Sequence, residues 1–152
     1  MYKKLLLTCA AMITLTACQK DTTREVQQMV DVELEVPSDL AVKEESRLQA
    51  TISQGGSPVD DADVVDFEIW VANNREESVW LSAEQVEKGK YEVTYEFTED
   101  GVYFIQTHVT ARDLHVMPVE EVEVGEVTEE MRAAVQEDQG KADMSDTGHS
   151  HH

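Results

Sequence analysis

The fold of this chain is decided by residues 91–110, which read YEVTYEFTEDGVYFIQTHVT. From Tyr91 to Phe97, aromatic and β-branched residues alternate with charged ones, which is the pattern of a strand with one buried face. Glu99-Asp100-Gly101 has the composition of a hairpin-type turn, and residues 102–110 form the most apolar run after the N-terminal segment. This stretch therefore predicts two β-strands joined by a tight turn.

Further strand patterns lie on both sides of this stretch. Turn-forming residues separate them, and Gln54-Gly55-Gly56-Ser57-Pro58 is the strongest such cluster. The additional runs are Val30–Val36, Leu48–Ile52, Val65–Val71, a short edge strand at Val79–Leu81, and Val119–Val124. Six or more short strands at this spacing predict an all-β, two-sheet antiparallel sandwich over residues 30–125.

The N-terminus resembles a bacterial lipoprotein signal. Lys3 and Lys4 precede an apolar segment that is too short for a membrane span and ends in Leu15-Thr16-Ala17-Cys18. By that resemblance, residues 1–17 are removed and Cys18 carries the lipid, with residues 18–29 as a tether. The predicted location is the extracytoplasmic side of a cell membrane. A plain secreted chain or a buried cysteine remains the alternative.

The charge of the chain limits its partners. The formal net charge is −20, and loss of Lys3 and Lys4 leaves ten basic residues against 32 acidic ones. A field of this sign repels nucleic acid and anionic headgroups and favours cations, including metal ions. Solubility is the simpler explanation of the charge. After cleavage Cys18 is the one cysteine left, so the sequence predicts no intramolecular disulfide.

Two histidines and a methionine lie near the end of the predicted sandwich: His108, His115 and Met117. If the chain reverses at Ala111 and Arg112, His108 lies opposite His115. If the loop is Arg112-Asp113, the pairing shifts and His108 lies opposite Met117. Both registers place the three side chains on one patch, because opposed residues and residues two apart share a face.

Imidazole binds Cu(II) or Cu(I), whereas a thioether prefers Cu(I), so this mixed set favours copper as a bound ion. Three such residues do not identify a metal by themselves. The alternative interpretation is that Met117 fills the core and that both histidines are ordinary residues of a solvated strand face.

Residues 126–152 are predicted to form a short helix followed by a disordered tail. Thr128 is a suitable N-cap, but the segment after it has too few apolar positions to dock firmly. The tail supplies four accessory candidates for metal binding, namely Met144, His149, His151 and His152. Adventitious affinity of a histidine tract, or an expression tag, is the alternative.

The lipoprotein signal, the short all-β domain, GVYFIQTHV at residues 101–109 and His115-Val116-Met117-Pro118 together resemble the YtkA-like (FixH-like) family of bacterial surface proteins. The resemblance covers roughly Val32 to Val124. It implies an immunoglobulin-like sandwich and, from related proteins, a link to copper handling and respiratory oxidase assembly. It also makes His108, His115 and Met117 the positions for a metal role.

The motifs of common catalytic sites are absent from the sequence. It contains no Gly-x-Ser-x-Gly, no His-Glu-x-x-His and no free catalytic cysteine, so we expect no enzyme. We expect a lipid-anchored extracytoplasmic binding or accessory module that binds copper. The alternative is an envelope protein-interaction module with no metal role, whose acidic sheet contacts a basic partner.

Overall fold

The computed structural model describes residues 28–135, which form two antiparallel sheets packed face to face. The first sheet contains β1 (Val30–Glu35), β2 (Glu45–Gln54), β3 (Ser57–Pro58), β6 (Glu84–Glu87) and β7 (Lys90–Glu96). The second contains β4 (Val64–Val71), β5 (Val79–Ser82), β8 (Gly101–Ala111), β9 (Leu114–Val116) and β10 (Val119–Val124). The predicted all-β sandwich is confirmed, and β3 and β6 are strands that the sequence patterns did not predict.

The strand order identifies the type of sandwich. The first sheet runs β1-β2-β7-β6 and the second runs β10-β8-β4-β5. β3 and β9 lie outside these two paths. When the other eight strands are lettered A, B, C, C′, D, E, F and G in chain order, the two sheets are the A-B-E-D and G-F-C-C′ sheets of the immunoglobulin fold. The expected immunoglobulin-like architecture is therefore confirmed by topology.

The core lies between the two sheets and follows the period-two patterns of the sequence. Leu48 and Ile52 of β2 face Phe67 of β4 and Ile105 of β8, and all four are fully buried. Thr107 is also fully buried, and its hydroxyl has no hydrogen-bond partner among the described residues. Because neither described sheet contains a cysteine, apolar packing takes the place of the inter-sheet disulfide of antibody domains.

The predicted hairpin at Glu99-Asp100-Gly101 is a different kind of connection. β7 and β8 belong to different sheets, so this turn carries the chain across the sandwich. The Tyr103 hydroxyl, near the start of β8, donates a hydrogen bond to the Glu99 carbonyl at 3.1 Å. This is the tyrosine-corner arrangement of immunoglobulin-like domains, in which a side chain ties the corner to the following strand. Burial raises the pKa of Tyr103.

The β8–β9 hairpin settles the register that the sequence left open. Thr110 pairs with His115 and Val109 with Val116, so the two-residue loop is Arg112-Asp113. Both loop residues have positive φ, 52° and 63°, as a type I′ turn requires. The register that placed His108 opposite His115 is therefore wrong, and the one that placed His108 opposite Met117 is right.

Residues 129–135 are helical and pack on the end of the sandwich. The Thr128 hydroxyl accepts a hydrogen bond from the Met131 amide at 3.3 Å, which fits the predicted N-cap. Val135 is 3% exposed, and Arg132 pairs with Glu123 of β10, so the segment docks better than its few apolar residues suggested. Within residues 28–135, no helix has the length and apolar character needed to cross a membrane.

Candidate functional site

The outer face of the first sheet, which we call the acidic face, carries mainly carboxylates. Strand alternation directs apolar residues to the core and leaves charged residues in water. Its acidic residues are Asp31, Glu33, Glu35, Glu45, Glu84, Glu87, Glu92 and Glu96, with Arg47 and Lys90 as the basic ones. Arg47 pairs with Glu92 at 3.1 Å. Glu45 lies directly opposite Glu96, so like charges also meet on this face.

The outer face of the second sheet, which we call the aromatic face, has a different composition. Its side chains come from β4, β5, β8 and the β9–β10 segment. They are Val64, Asp66, Glu68, Trp70, Trp80, Ser82, Phe104, Gln106, His108, Thr110, His115, Met117, Val119 and Glu121. All three sequence-predicted site residues of the sandwich therefore lie on this face.

One half of the aromatic face is covered by the segment between β4 and β5. That segment contains a short 3-10 helix, Arg75–Glu77, and the Arg75 guanidinium lies over the Trp70 ring at 4.4 Å. Arg75 donates two hydrogen bonds to Glu68, at 2.7 and 3.1 Å, and a third to Gln106. Trp70 in turn stacks on Phe104. The loop thus buries Glu68 and closes this half of the face.

Glu68 is 4% exposed, which is unusual for a carboxylate on the outer side of a sheet. Its hydrogen bonds to Arg75 lower its pKa, burial opposes that effect, and the hydrogen bond with His108 lowers it further. The pKa of Arg75 is raised by the same pair. Glu68 is therefore ionised at neutral pH and accepts hydrogen bonds from two sides.

His108 lies at the border between the covered and the open half of this face. Its Nε2 is 3.1 Å from the Glu68 carboxylate. Its ring contacts the indole of Trp80, with ring centroids 4.4 Å apart, and its side chain is 14% exposed. Trp80 itself is 53% exposed, so the imidazole is held on one side while the patch stays open to solvent.

His115 and Met117 complete the open half. The His115 Nδ1 is 3.0 Å from the Thr110 hydroxyl, and its ring centroid is 6.3 Å from that of His108. Two imidazoles on one ion have centroids roughly 5 to 6.5 Å apart, since each metal–nitrogen bond is about 2 Å. Met117 is 48% exposed and follows β9 in the register that places it opposite His108. The structure thus brings the three predicted residues onto one patch.

Carboxylates contribute little to this patch as metal ligands. Asp66 is opposite His108 on β4 and accepts a hydrogen bond from the Ser82 hydroxyl at 2.7 Å. Across residues 28–135, no group of three or more His, Cys, Asp or Glu side chains is arranged to hold a metal ion. A site here would consist of two imidazoles and a thioether, a set that suits copper better than Ca²⁺ or Mg²⁺.

The remaining predicted residues lie outside the described part of the chain. These are the lipidation site Cys18 and the accessory candidates Met144, His149, His151 and His152, together with the signal segment and most of the predicted tether.

Sequence patterns missed three residues that shape the patch: Glu68, Arg75 and Trp80. Glu68 occupies an outward position of a strand, where a carboxylate is ordinarily solvated. Its burial depends on Arg75, which comes from a loop, and a loop conformation leaves no periodic signal. The one available signal was Trp80, a large aromatic residue in a predicted edge strand.

Several solved structures are distantly similar to this chain. The chain matches a CARDB domain from Pyrococcus furiosus, solved with di-metal ions, at 15% identity and a TM-score of 0.42, covering 66% of this chain and 90% of that one. It matches a superoxide reductase (neelaredoxin) from Ignicoccus hospitalis at 8% identity and a TM-score of 0.45, covering 70% and 89%. An engineered protein matches at 15% identity and a TM-score of 0.48, covering 63% of this chain and only 20% of that chain. At these scores the likenesses support no functional argument.

Sequence comparison is more informative. Curated proteins give no significant match. A family model described as YtkA-like matches residues 24–108, which is more than half of the 152-residue chain. The match begins just before β1 and ends at His108 in β8, so it covers most of the sandwich. The chain belongs to the YtkA-like family.

Proposed function

We propose that this protein is a lipid-anchored, extracytoplasmic accessory module that binds copper through His108, His115 and Met117 and takes part in metal handling without catalysing a reaction. The observation that carries the proposal is the placement of two imidazoles and a thioether on one open patch. The two rings are 6.3 Å apart, and Met117 stands opposite His108 in the hairpin register.

The chemistry of the patch favours Cu(I) over harder ions. A thioether is a soft ligand that Mg²⁺ and Ca²⁺ bind poorly, whereas imidazole accommodates both oxidation states of copper. His115 uses Nδ1 in its contact with Thr110, so its Nε2 is the ring nitrogen available to an ion. The high negative charge of the chain adds a general attraction for cations.

The test is a titration with Cu(I), and separately with Cu(II), of the full chain in detergent. The background carries C9S and C18S to remove thiols, and H149A, H151A and H152A to remove the tail imidazoles. We expect one Cu(I) per chain, with affinity reduced at least tenfold by His108→Ala or His115→Ala. Absence of binding in this background would overturn the proposal.

Methionine offers a matched pair of variants. Met117→Leu removes the thioether from the patch, and Met131→Leu removes one from the helical segment at the far end of β8. Both are half-exposed methionines, at 48% and 38%. We expect the first to weaken Cu(I) binding more than Cu(II) binding and the second to change neither. Equal effects of the two substitutions on Cu(I) binding would show that Met117 is not a ligand of the site.

The acidic face supports a second candidate, a protein-interaction module whose partner is basic. Eight carboxylates with two basic residues form a surface of one dominant sign, which attracts a partner of the opposite sign. This function predicts no copper binding in the background above. It predicts instead partner binding, found by crosslinking in the envelope, that weakens with salt and with Glu33→Gln or Glu35→Gln.

A further inference from the structure

The buried carboxylate of Glu68 is the least expected group on the aromatic face. Burial of a charge is unfavourable unless hydrogen bonds and an opposite charge compensate it. Arg75 provides both, because its guanidinium donates two hydrogen bonds to Glu68. One of the two Glu68 carboxylate oxygens also contacts His108 Nε2, at 3.1 Å. If Glu68 served only to anchor the β4–β5 loop, its pair with Arg75 would be sufficient.

The contact with Glu68 determines which nitrogen of His108 carries a proton. An ionised carboxylate only accepts hydrogen bonds, so Nε2 must be the donor. A neutral imidazole protonated at Nε2 has its lone pair at Nδ1. The hydrogen bond therefore leaves Nδ1 as the nitrogen that can bind an ion.

Trp80 restricts the same ring from another direction. Its indole contacts the imidazole with a centroid distance of 4.4 Å and an interplanar angle of 37°. A partial rotation of the His108 ring would break this contact, and a half-turn about the Cβ–Cγ bond would lose the hydrogen bond to Glu68. The ring is thus held in one orientation before any ion arrives, which reduces the entropy lost on binding.

We propose that Glu68 is a positioning residue that fixes the tautomer and orientation of His108, so that Nδ1 is presented to copper, while Arg75 holds Glu68 in place. This inference rests on the proposed function and names the ligand atom of that site. Histidines that bind metals generally donate their other N–H to a carboxylate or carbonyl, and loss of that partner weakens metal affinity about 10- to 100-fold.

The first measurement needs no metal. Nitrogen-15 NMR of the imidazole rings reports which nitrogen is protonated, and we expect His108 in the metal-free protein to be the Nε2–H tautomer. In Glu68→Gln the side-chain amide donates as well as accepts, so we expect both tautomers. A dominant Nδ1–H tautomer in the unsubstituted protein would overturn the inference, whatever the copper titration gives.

Glu92→Gln is the matched control. Glu92 is also a strand glutamate paired with an arginine, Arg47 at 3.1 Å, but it lies on the acidic face. We expect Glu68→Gln to weaken Cu(I) binding 10- to 100-fold and Glu92→Gln to leave it unchanged. If Glu68→Gln does not fold, Glu68→Asp is the substitute. It keeps a negative charge for Arg75, but its shorter side chain moves the carboxylate away from His108. We expect the same weakening of Cu(I) binding from it.

The outcomes separate this inference from the proposed function. The parent protein is the background without thiols and tail imidazoles that is used for the titration. Copper binding that is equally tight in this parent protein and in its Glu68→Gln variant would overturn the positioning role and leave the copper site intact. Absence of copper binding in the parent protein would overturn the proposed function and the inference together. A Glu68→Gln protein that loses stability but keeps both tautomer and affinity would show that Glu68 only staples the loop.

Discussion

The two outer faces of the sandwich use carboxylates in opposite ways. On the acidic face, carboxylates stand in water and meet like charges across the strands, as Glu45 meets Glu96. On the aromatic face, Glu68 is buried beneath Arg75 and bonded to His108. The role of a glutamate in a strand therefore depends on what covers its carboxylate.

The largest expected effect on stability comes from removing the buried carboxylate. Glu68→Ala deletes the partner of Arg75 and His108, and we expect it to lower the free energy of unfolding by about 2 kcal/mol, since hydrogen bonds to charged groups contribute about 1.5–3 kcal/mol. Glu92→Ala removes a pair in which Arg47 is 73% exposed, and it should change the free energy of unfolding by less than about 1 kcal/mol. Urea unfolding of both variants measures the contrast, and equal losses would contradict it.

The pH dependence of stability sharpens the same contrast. The pKa of Glu68 in the folded protein is held below its ordinary value of 4.5, mainly by Arg75. A lowered pKa contributes stability above pH 4.5 that is lost as the pH falls through the folded pKa. The stability difference between the protein without this substitution and Glu68→Gln should therefore shrink as the pH falls below 4.5. A stability difference that grows as the pH falls below 4.5 would show that the pKa of Glu68 is not lowered in the folded protein.

Trp80 tests whether the open half of the aromatic face is ordered by its own contacts. Trp80→Ala removes the ring against His108, and we expect it to lower the free energy of unfolding by about 0.5–1.5 kcal/mol, the usual contribution of an aromatic pair. Thr94→Ala, at an exposed position of β7 on the acidic face, is the control. Thermal unfolding compares the two, and a Trp80 effect no larger than that of Thr94 would mean that the ring contact is not stabilising.

The smallest effect is expected on the acidic face. Glu45→Lys replaces a like-charge pair with an opposite-charge pair across β2 and β7, and we expect stabilisation of about 0.2–1 kcal/mol. The gain should decrease in high salt, which screens exposed charges. Glu33→Lys makes the same change in net charge on the same face, but Glu33 lies opposite Thr51, so no opposite-charge pair of this kind is formed. An equal gain from it would point to overall charge rather than to the pair.

Much of the fold was predictable because it depends on local patterns. Alternation located β1, β2, β4, β7, β8 and β10, since a strand with one buried face must repeat every two residues. The Arg112-Asp113 loop was harder because it lacks the glycine or asparagine that ordinarily marks a type I′ turn. There Arg112 reaches Asp61 and Gln54, contacts that depend on distant residues.

The candidate site was predictable only in part. His108, His115 and Met117 could be placed on one patch because both possible registers share that feature. The role of Glu68 could not be foreseen, because Arg75 is seven residues away and reaches it through a loop. The hairpin assumed at Glu99-Asp100-Gly101 failed for a related reason: a turn sequence does not reveal whether the next strand stays in the same sheet.

Sequence patterns were sufficient to predict most of the strands, the two-sheet sandwich, the family and the residues that we propose as metal ligands. These follow from composition, period-two alternation and short-range spacing, which act between neighbours along the chain. The folded structure was needed to establish the sheet in which each strand lies, the register that sets His108 opposite Met117, and the burial of Glu68 between Arg75 and His108. The sheet assignment and the contact between Glu68 and His108 join residues far apart in the chain. The hairpin register and the pair of Glu68 with Arg75 depend on loop conformations, which leave no periodic pattern in the sequence.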